Sequence, residues 1–379
     1  MTKPVKHFFS SMAGAPVLTG LAGTMIAVLD ACLVNGFNLL TLDSLVVSSN
    51  VLTGTKTSHG YVVDQVVLIA GANESQLNGE WTITSVTSNT FTAAAPGVSN
   101  TTGTGTISVK AAPAGWTKVY SGTNKAVYRS SDATSTQMYL RVDDTATIAA
   151  RVVGYETMTD VDTGTGPFPT AAQVSGGGSW HKSGSADSTA RTWALVADSA
   201  GFYQVRNTYP AQVCCVDGFG DYPSEKQGDA YRCFLVAHTS SGAITTATSS
   251  QLLMSGTNAG EPMWSPRSYT QIGSAVVMEL STNNFATTIS GASTSPLAYP
   301  SPVSNGIVLS VPAIRETSTG PIRSLALPGL YHTPQATPLT DRDKIENINS
   351  LSGRKLLVLA SVYSGTAARF LVDITGPWR

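Results

Sequence analysis

The sequence predicts a mainly β protein: a large β-sandwich-like domain with an N-terminal helix, and a small β-barrel-like module inserted near its start. Three observations point there. Only 12% of the 379 residues are charged, against roughly 25% in ordinary globular proteins; polarity comes from Ser, Thr, Gly and Asn, which suit strands and turns. Short apolar or alternating runs follow one another closely, with turn residues between them. In the first half of the chain a single long stretch keeps a helical period.

Residues 1–44 are read as an arm followed by that helix. Pro4, Gly14 and Pro16 break the arm too often for helix. Free aromatic side chains on a tail are unfavourable, so Phe8 and Phe9 dock either on the arm's own domain or on a neighbouring subunit. They are the candidate intersubunit contacts. Thr19 to Asn35 then places Leu21, Met25, Val28, Leu29 and Cys32 at helical spacing, with Thr19 as N-cap and Gly36 as the residue that ends it.

Residues 45–110 read as the inserted module. Val51, Thr53, Thr55 and Thr57 share one face of a strand, and Val66 to Ile69 is apolar on both faces, as a central strand is. Trp81 and Ile83 alternate with Thr82 and Thr84, and Phe91, Ile107 and Val109 supply further strands. Asn78-Gly79 reads as a two-residue type I′ hairpin turn.

Residues 111–379 form the large β-rich domain, which the N-terminal helix completes. Strands are expected at Trp116 to Tyr120, Ala126 to Ser130, Gln137 to Val142 and within Ile148 to Thr157. The stretch 161–169, with DTGTGPFP, reads as loop. A hairpin follows, Thr192 to Ala197 with Gly201 to Asn207. Further strands are expected at Gln212 to Phe219, Arg232 to His238, Gln251 to Met254, Ala275 to Leu280 and Gly306 to Val311. Arg354 to Val362 and Ala368 to Ile374 close the chain as a second hairpin.

A net charge of -1 and a pI near 6.5 argue against a dedicated binder of nucleic acid or anionic membrane. Lys3, Lys6 and Phe8-Phe9 imitate the start of a signal peptide, but Ser10-Ser11 ends the apolar run. No membrane insertion is expected, and the chain is read as made in the cytoplasm. Cys32 reads as a buried thiol. Cys214, Cys215 and Cys233 have the wrong spacing for zinc, leaving a Cys215–Cys233 bridge open. The five histidines form no metal-binding pattern, and His181 reads as a solvated loop residue.

Catalytic motifs fare no better. DTGTG at Asp162 to Gly166 lacks the second triplet an aspartic protease needs, and Gly176 to Ser179 lacks the Lys-Ser/Thr of a phosphate loop. Asp143, Asp144, Asp160, Asp162, Asp341 and Asp343 have no EF-hand spacing. Asp217, Asp221, Glu225 and Asp229 offer carboxylates of the type a glycosidase pairs, as any chain of this size does. Trp180, Trp193, Phe202, Tyr203 and Tyr209 read as core packing, and Arg129, Arg141 and Arg151 as cross-strand surface pairs. No catalytic residue, cofactor or metal is expected.

The module's pattern, SHGYxVDQVVLIAG at 58–71 and LNGEWTITSVTSNTFT at 77–92, resembles a small β-module recurrent in tailed-bacteriophage structural proteins. That module is similar in pattern to the β-barrel insert of ubiquitin-activating enzymes. The whole chain, from MTKPVKHFFSSMAGAPVL through GTNKAVYRS to DITGPWR, also resembles virion proteins of phages and prophages of Gram-negative hosts. The resemblance implies a non-enzymatic structural component of the virion, in the tail, baseplate or neck. It would act as a homo-oligomer through contacts with other virion proteins. Two other roles remain beside it: a receptor-binding appendage for a host-surface glycan, and a capsid-decorating protein.

Overall fold

The structure is a computed structural model that describes residues 4–208, 216–242, 262–282, 298–317, 320–333, 335, 337–348, 351–360 and 369–379. Every strand pair in it is antiparallel. The central sheet has nine strands, in the order Lys6–Phe9, Trp193–Ala197, Gly201–Arg206, Val216–Asp221, Cys233–Val236, Met263–Ser265, Val276–Thr282, Pro312–Glu316 and Ile322–Ser324. Trp193–Ala197 and Gly201–Arg206 are buried at every position, because both faces of this sheet are covered.

On one face lies a six-stranded sheet: Trp116–Gly122, Lys125–Ser130, Tyr139–Asp143, Ala149–Met158 and Gly164–Phe168, with Gly178–His181 also paired to Ala149–Met158. Aromatic rings bridge the two layers. Trp116 and Trp180 both meet Phe202 edge-on, and Phe168 stacks on Phe219. The opposite face carries Tyr203, whose ring meets Trp378 and whose hydroxyl donates to the Pro328 carbonyl at 3.0 Å. There the C-terminal sheet, Leu330–Thr333, Arg369–Asp373, Leu356–Ala360 and Lys344–Ile345, contributes Leu357, Leu359, Phe370 and Val372 to the main core. Sheets packed face to face make the sandwich character plain; the third layer was not expected.

The arm is a strand. Lys6–Phe9 pairs with Trp193–Ala197 at the edge of the central sheet, so Phe8 and Phe9 sit 1% and 9% exposed within their own chain. Phe8 packs on Phe37, and the Arg342 guanidinium lies over Phe9. Within this chain both rings pack in its own core.

The helix starts five residues later than predicted. Gly23, at φ 81, forces the chain out of helical geometry, so the α-helix runs Thr24–Leu29 and continues as wider π turns over Asp30–Asn35 to Gly36. Thr19 is no cap. The first N–H groups go instead to a residue far away: the Asp144 carboxylate accepts from Met25 at 2.8 Å and Ile26 at 3.4 Å.

The module has its own sheet and its own core. Eight strands lie in the order Phe37–Thr41, Ser108–Ala111, Val66–Ala70, Gly79–Val86, Thr90–Ala94, Val51–Thr55, Ser44–Ser48 and Thr101–Thr102. They curl around Leu45, Leu52, Val67, Ile69, Leu77, Ile83, Phe91 and Val109. Among the described residues no ladder joins the first strand to the last, so the sheet is curled and open along that seam. It begins at Phe37 and ends at Ala111. The hairpin turn is not where it was predicted: Asn78 has φ -78 and its side chain instead closes the preceding loop, bonding both the N–H and the carbonyl of Ala72. Ser49 and Asn50, at φ 51 and 62, supply the two left-handed positions of a type I′ turn. The SHGY residues are internal staples. The His59 ring accepts from the Tyr61 N–H, and the Tyr61 hydroxyl donates to the carbonyls of Asn38 and Val109. Asp64 reaches out to Lys344 and Lys355 of the C-terminal sheet, each at 2.7 Å, and Glu80 pairs with Lys6 of the arm.

Elsewhere, DTGTGPFP is not all loop. Gly164–Phe168 is a strand at the edge of its sheet, where Pro167 is tolerated because an edge strand needs fewer ladder donors. The strand expected at Gly306 to Val311 lies later, at Pro312–Glu316. His181 is buried, at the end of a strand and against the ring of His238. Cys32 and Cys233 are buried thiols. Gln251 to Met254, Tyr209, Cys214 and Cys215 lie outside the described residues.

Two glycines share one device. Gly54 faces Phe91 and Gly154 faces Phe168 across their ladders, and each ring fills the space a Cβ would take. A Cβ on Gly154 would sit 2.2 Å from the Phe168 ring. Gly154→Ala is therefore expected to cost about 1–3 kcal/mol, read as a lower urea midpoint at unchanged slope. Gly122→Ala, with its nearest neighbour at 3.5 Å, is the control and should change little.

Candidate interaction surface

The outer end of the central sheet exposes large apolar side chains on a frame that is tightly held. Ile322 and Leu325, on and beside the last strand, are 50% and 54% exposed, and the loop over 266–274 raises Tyr269 and Ile272 to 48% and 76%. Ile322 shares a face with Arg315 and Glu279 through direct cross-strand pairing, and Val277 lies two residues along that face.

The loop is fixed from several directions. The Arg267 guanidinium grips both oxygens of Glu156 at 2.7 and 2.8 Å and lies over the Tyr231 ring. The Tyr269 N–H donates to the Glu316 carboxylate, while its carbonyl accepts from Lys226 at 2.8 Å. Gln271, at φ 64, and Gly273, at φ 89, turn the chain on either side of Ile272. An apolar tip held this way loses little freedom on docking, which is what makes a contact residue count.

Arg323 is the anchor of the frame. Only 1% exposed, it donates to the Arg267 carbonyl at 3.0 Å, to Asp229 at 2.7 Å and to Glu316, and it sits over the Tyr222 ring. Its own carbonyl accepts from Glu225 N–H at 2.9 Å. FGDYPSEKQGDAY, at Phe219 to Tyr231, is thus a bracket. Burial acts to raise Asp229, but the Ser224 hydroxyl and Arg323 hold its carboxyl below the ordinary value.

Three of the four carboxylates weighed for glycosidase chemistry have structural partners. Asp217 pairs with Arg206 in the core, Asp229 with Arg323, and Asp221 with Thr136 and Arg232. Glu225 is exposed. Arg141 holds Asp143 and Asp162 together, Arg129 lies over Tyr139, and Arg151 binds the Gly177 carbonyl and Ser179. Trp180, Trp193, Phe202 and Tyr203 are core. Among the described residues no group of His, Cys, Asp and Glu is arranged to hold a metal ion, and no helix is long and apolar enough to cross a membrane.

Sequence reading missed Arg323, Tyr269 and Ile272. The one available signal was SPRSYTQIGS at 265–274, where an aromatic and an isoleucine stand among turn residues.

No family model matches this chain, and no curated protein matches it. Among solved structures, phage phi92 endosialidase is similar over 89% of this chain and 52% of its own length, at 11% identity and a TM-score of 0.17. The chain spans about half of that protein, and a superposition this loose fixes neither fold nor activity.

Proposed function

We propose that this chain is a structural protein of a tailed-phage virion, in the tail, baseplate or neck, acting through contacts with other virion proteins and with copies of itself. The observation that carries the contact role is the rigid loop over 266–274 that exposes Tyr269 and Ile272. Exposed aromatic and aliphatic side chains on a preorganised frame are the kind that anchor a protein contact. The virion setting is supported by the phage-type pattern in the module, whose sheet and core stand apart from those of the body. On this reading the module is a spacer or contact unit held to the body by the Asp64 and Glu80 ion pairs.

The double change Tyr269→Asp with Ile272→Asp tests the loop. Both side chains point away from the core, so thermal stability should move little, within about 0.5 kcal/mol. Incorporation into assemblies formed with co-expressed virion proteins should be lost. Undiminished incorporation would remove the loop from the reading.

A further inference from the structure

Lys182 and Asp144 meet where solvent does not reach. Lys182 follows the strand Gly178–His181 and Asp144 follows Tyr139–Asp143, and these strands flank Ala149–Met158 on its two sides. Both side chains are 0% exposed, and Nζ of Lys182 touches Oδ1 of Asp144. Nζ also donates to the Leu21 carbonyl at 2.6 Å, which aims it. The second carboxyl oxygen, Oδ2, accepts from the backbone N–H groups of Met25 and Ile26.

A surface ion pair keeps its charges because water solvates them; this one is closed to bulk solvent. Burial pushes the Asp144 carboxyl up and the Lys182 amine down, each toward its uncharged form. A single proton passing from Nζ to Oδ1 leaves a free amine against a carboxylic acid whose carbonyl oxygen is already held by two donors.

From this geometry we infer that Lys182 and Asp144 become joined by an intramolecular isopeptide bond. The Nζ lone pair attacks Cγ of Asp144, and the carbonyl electron pair moves onto Oδ2. There the Met25 and Ile26 N–H groups stabilise the oxyanion as the donors of an oxyanion hole do. The second Nζ proton passes to the Oδ1 hydroxyl, the Cγ–Oδ1 bond breaks with its electrons on oxygen, and water leaves. Charges and atoms balance without oxidant or co-reactant: ammonium plus carboxylate gives amide plus water. The product keeps the same partners. Its N–H still faces the Leu21 carbonyl, and its C=O still accepts from Met25. The bond ties together the ends of two strands that are not neighbours. It does not depend on the virion reading.

The intact mass of the purified full-length chain, after accounting for any N-terminal trimming, should fall short of the sequence mass by one water. Proteolysis should release a branched peptide joining the Asp144 and Lys182 segments. Lys182→Arg and Asp144→Ala should restore the full mass, and Asp144→Asn should close the same bond with loss of ammonia in place of water. The unsubstituted protein decides the matter even where a variant fails to fold. A full sequence mass overturns the inference, and so does a water loss that maps to an aspartyl succinimide with no branched peptide.

Discussion

Arg323→Ala should lower the stability of the body by about 3–5 kcal/mol, the usual cost of removing one partner from a buried ionic cluster. The guanidinium is 1% exposed and serves Asp229, Glu316 and the Arg267 carbonyl together. Its loss strands two carboxylates away from water and unfastens the loop that carries Tyr269 and Ile272. Arg323→Lys should recover little, because a point-like ammonium cannot satisfy three acceptors set out for a planar fork. Urea unfolding gives the size of the loss, and limited proteolysis within 266–274 should quicken in parallel. Arg323→Met combined with Asp229→Asn and Glu316→Gln should recover part of the stability, since it removes the stranded charges. A loss for Arg323→Ala below about 1 kcal/mol, in the range of a surface ion pair, would mean that the bracket is not what holds this loop.

Acid should be the second large effect. Burial, with Lys344 next, pushes His7 down to about 3; burial and then Arg206 push His181 down to about 4. Burial alone brings His332 to about 4, and burial with His181 takes His238 well below the ordinary value. The folded state therefore binds fewer protons than the unfolded chain, where histidine titrates near 6.5. The stability these four neutral rings allow is fully present above pH 6.5 and is lost as pH falls from 6.5 toward 4. At pH 5 each contributes a loss of up to about 2 kcal/mol. Asp144 and Asp221, both raised by burial, work in the opposite direction, two groups against four. Urea midpoints at pH 7, 6 and 5 should fall steeply, and His332→Gln should flatten the slope by about one proton. A midpoint that stays level across this range would contradict the burial of the rings.

What the sequence made legible was governed by how many faces of a strand are covered. QMYLRV and TWALVA were readable because a half-buried strand alternates and a doubly buried one does not. The arm was not, because Lys6 and His7 are buried polar residues whose surroundings, Glu80 and the C-terminal sheet, lie far along the chain. The helix start failed for the same reason: its cap comes from Asp144, not from the local Thr19. Asn78-Gly79 carried the right letters for a I′ turn, but Asn78 bonds the Ala72 backbone, and Ser49-Asn50 took the turn geometry with weaker letters. The exposed loop over 266–274 was the least legible part. Exposure of Ile272 is a property of the neighbours it lacks, and the role of Arg323 depends on Asp229, 94 residues away.

The central claim is that this chain is built into a virion. Its most direct test is quantitative mass spectrometry of gradient-purified phage particles from a culture that expresses this chain. The account predicts the protein in the particles at a fixed ratio to the tail proteins, resistant to high-salt washing as an apolar contact should be. Its absence from particles that contain the tail, baseplate and neck proteins in full would contradict the account.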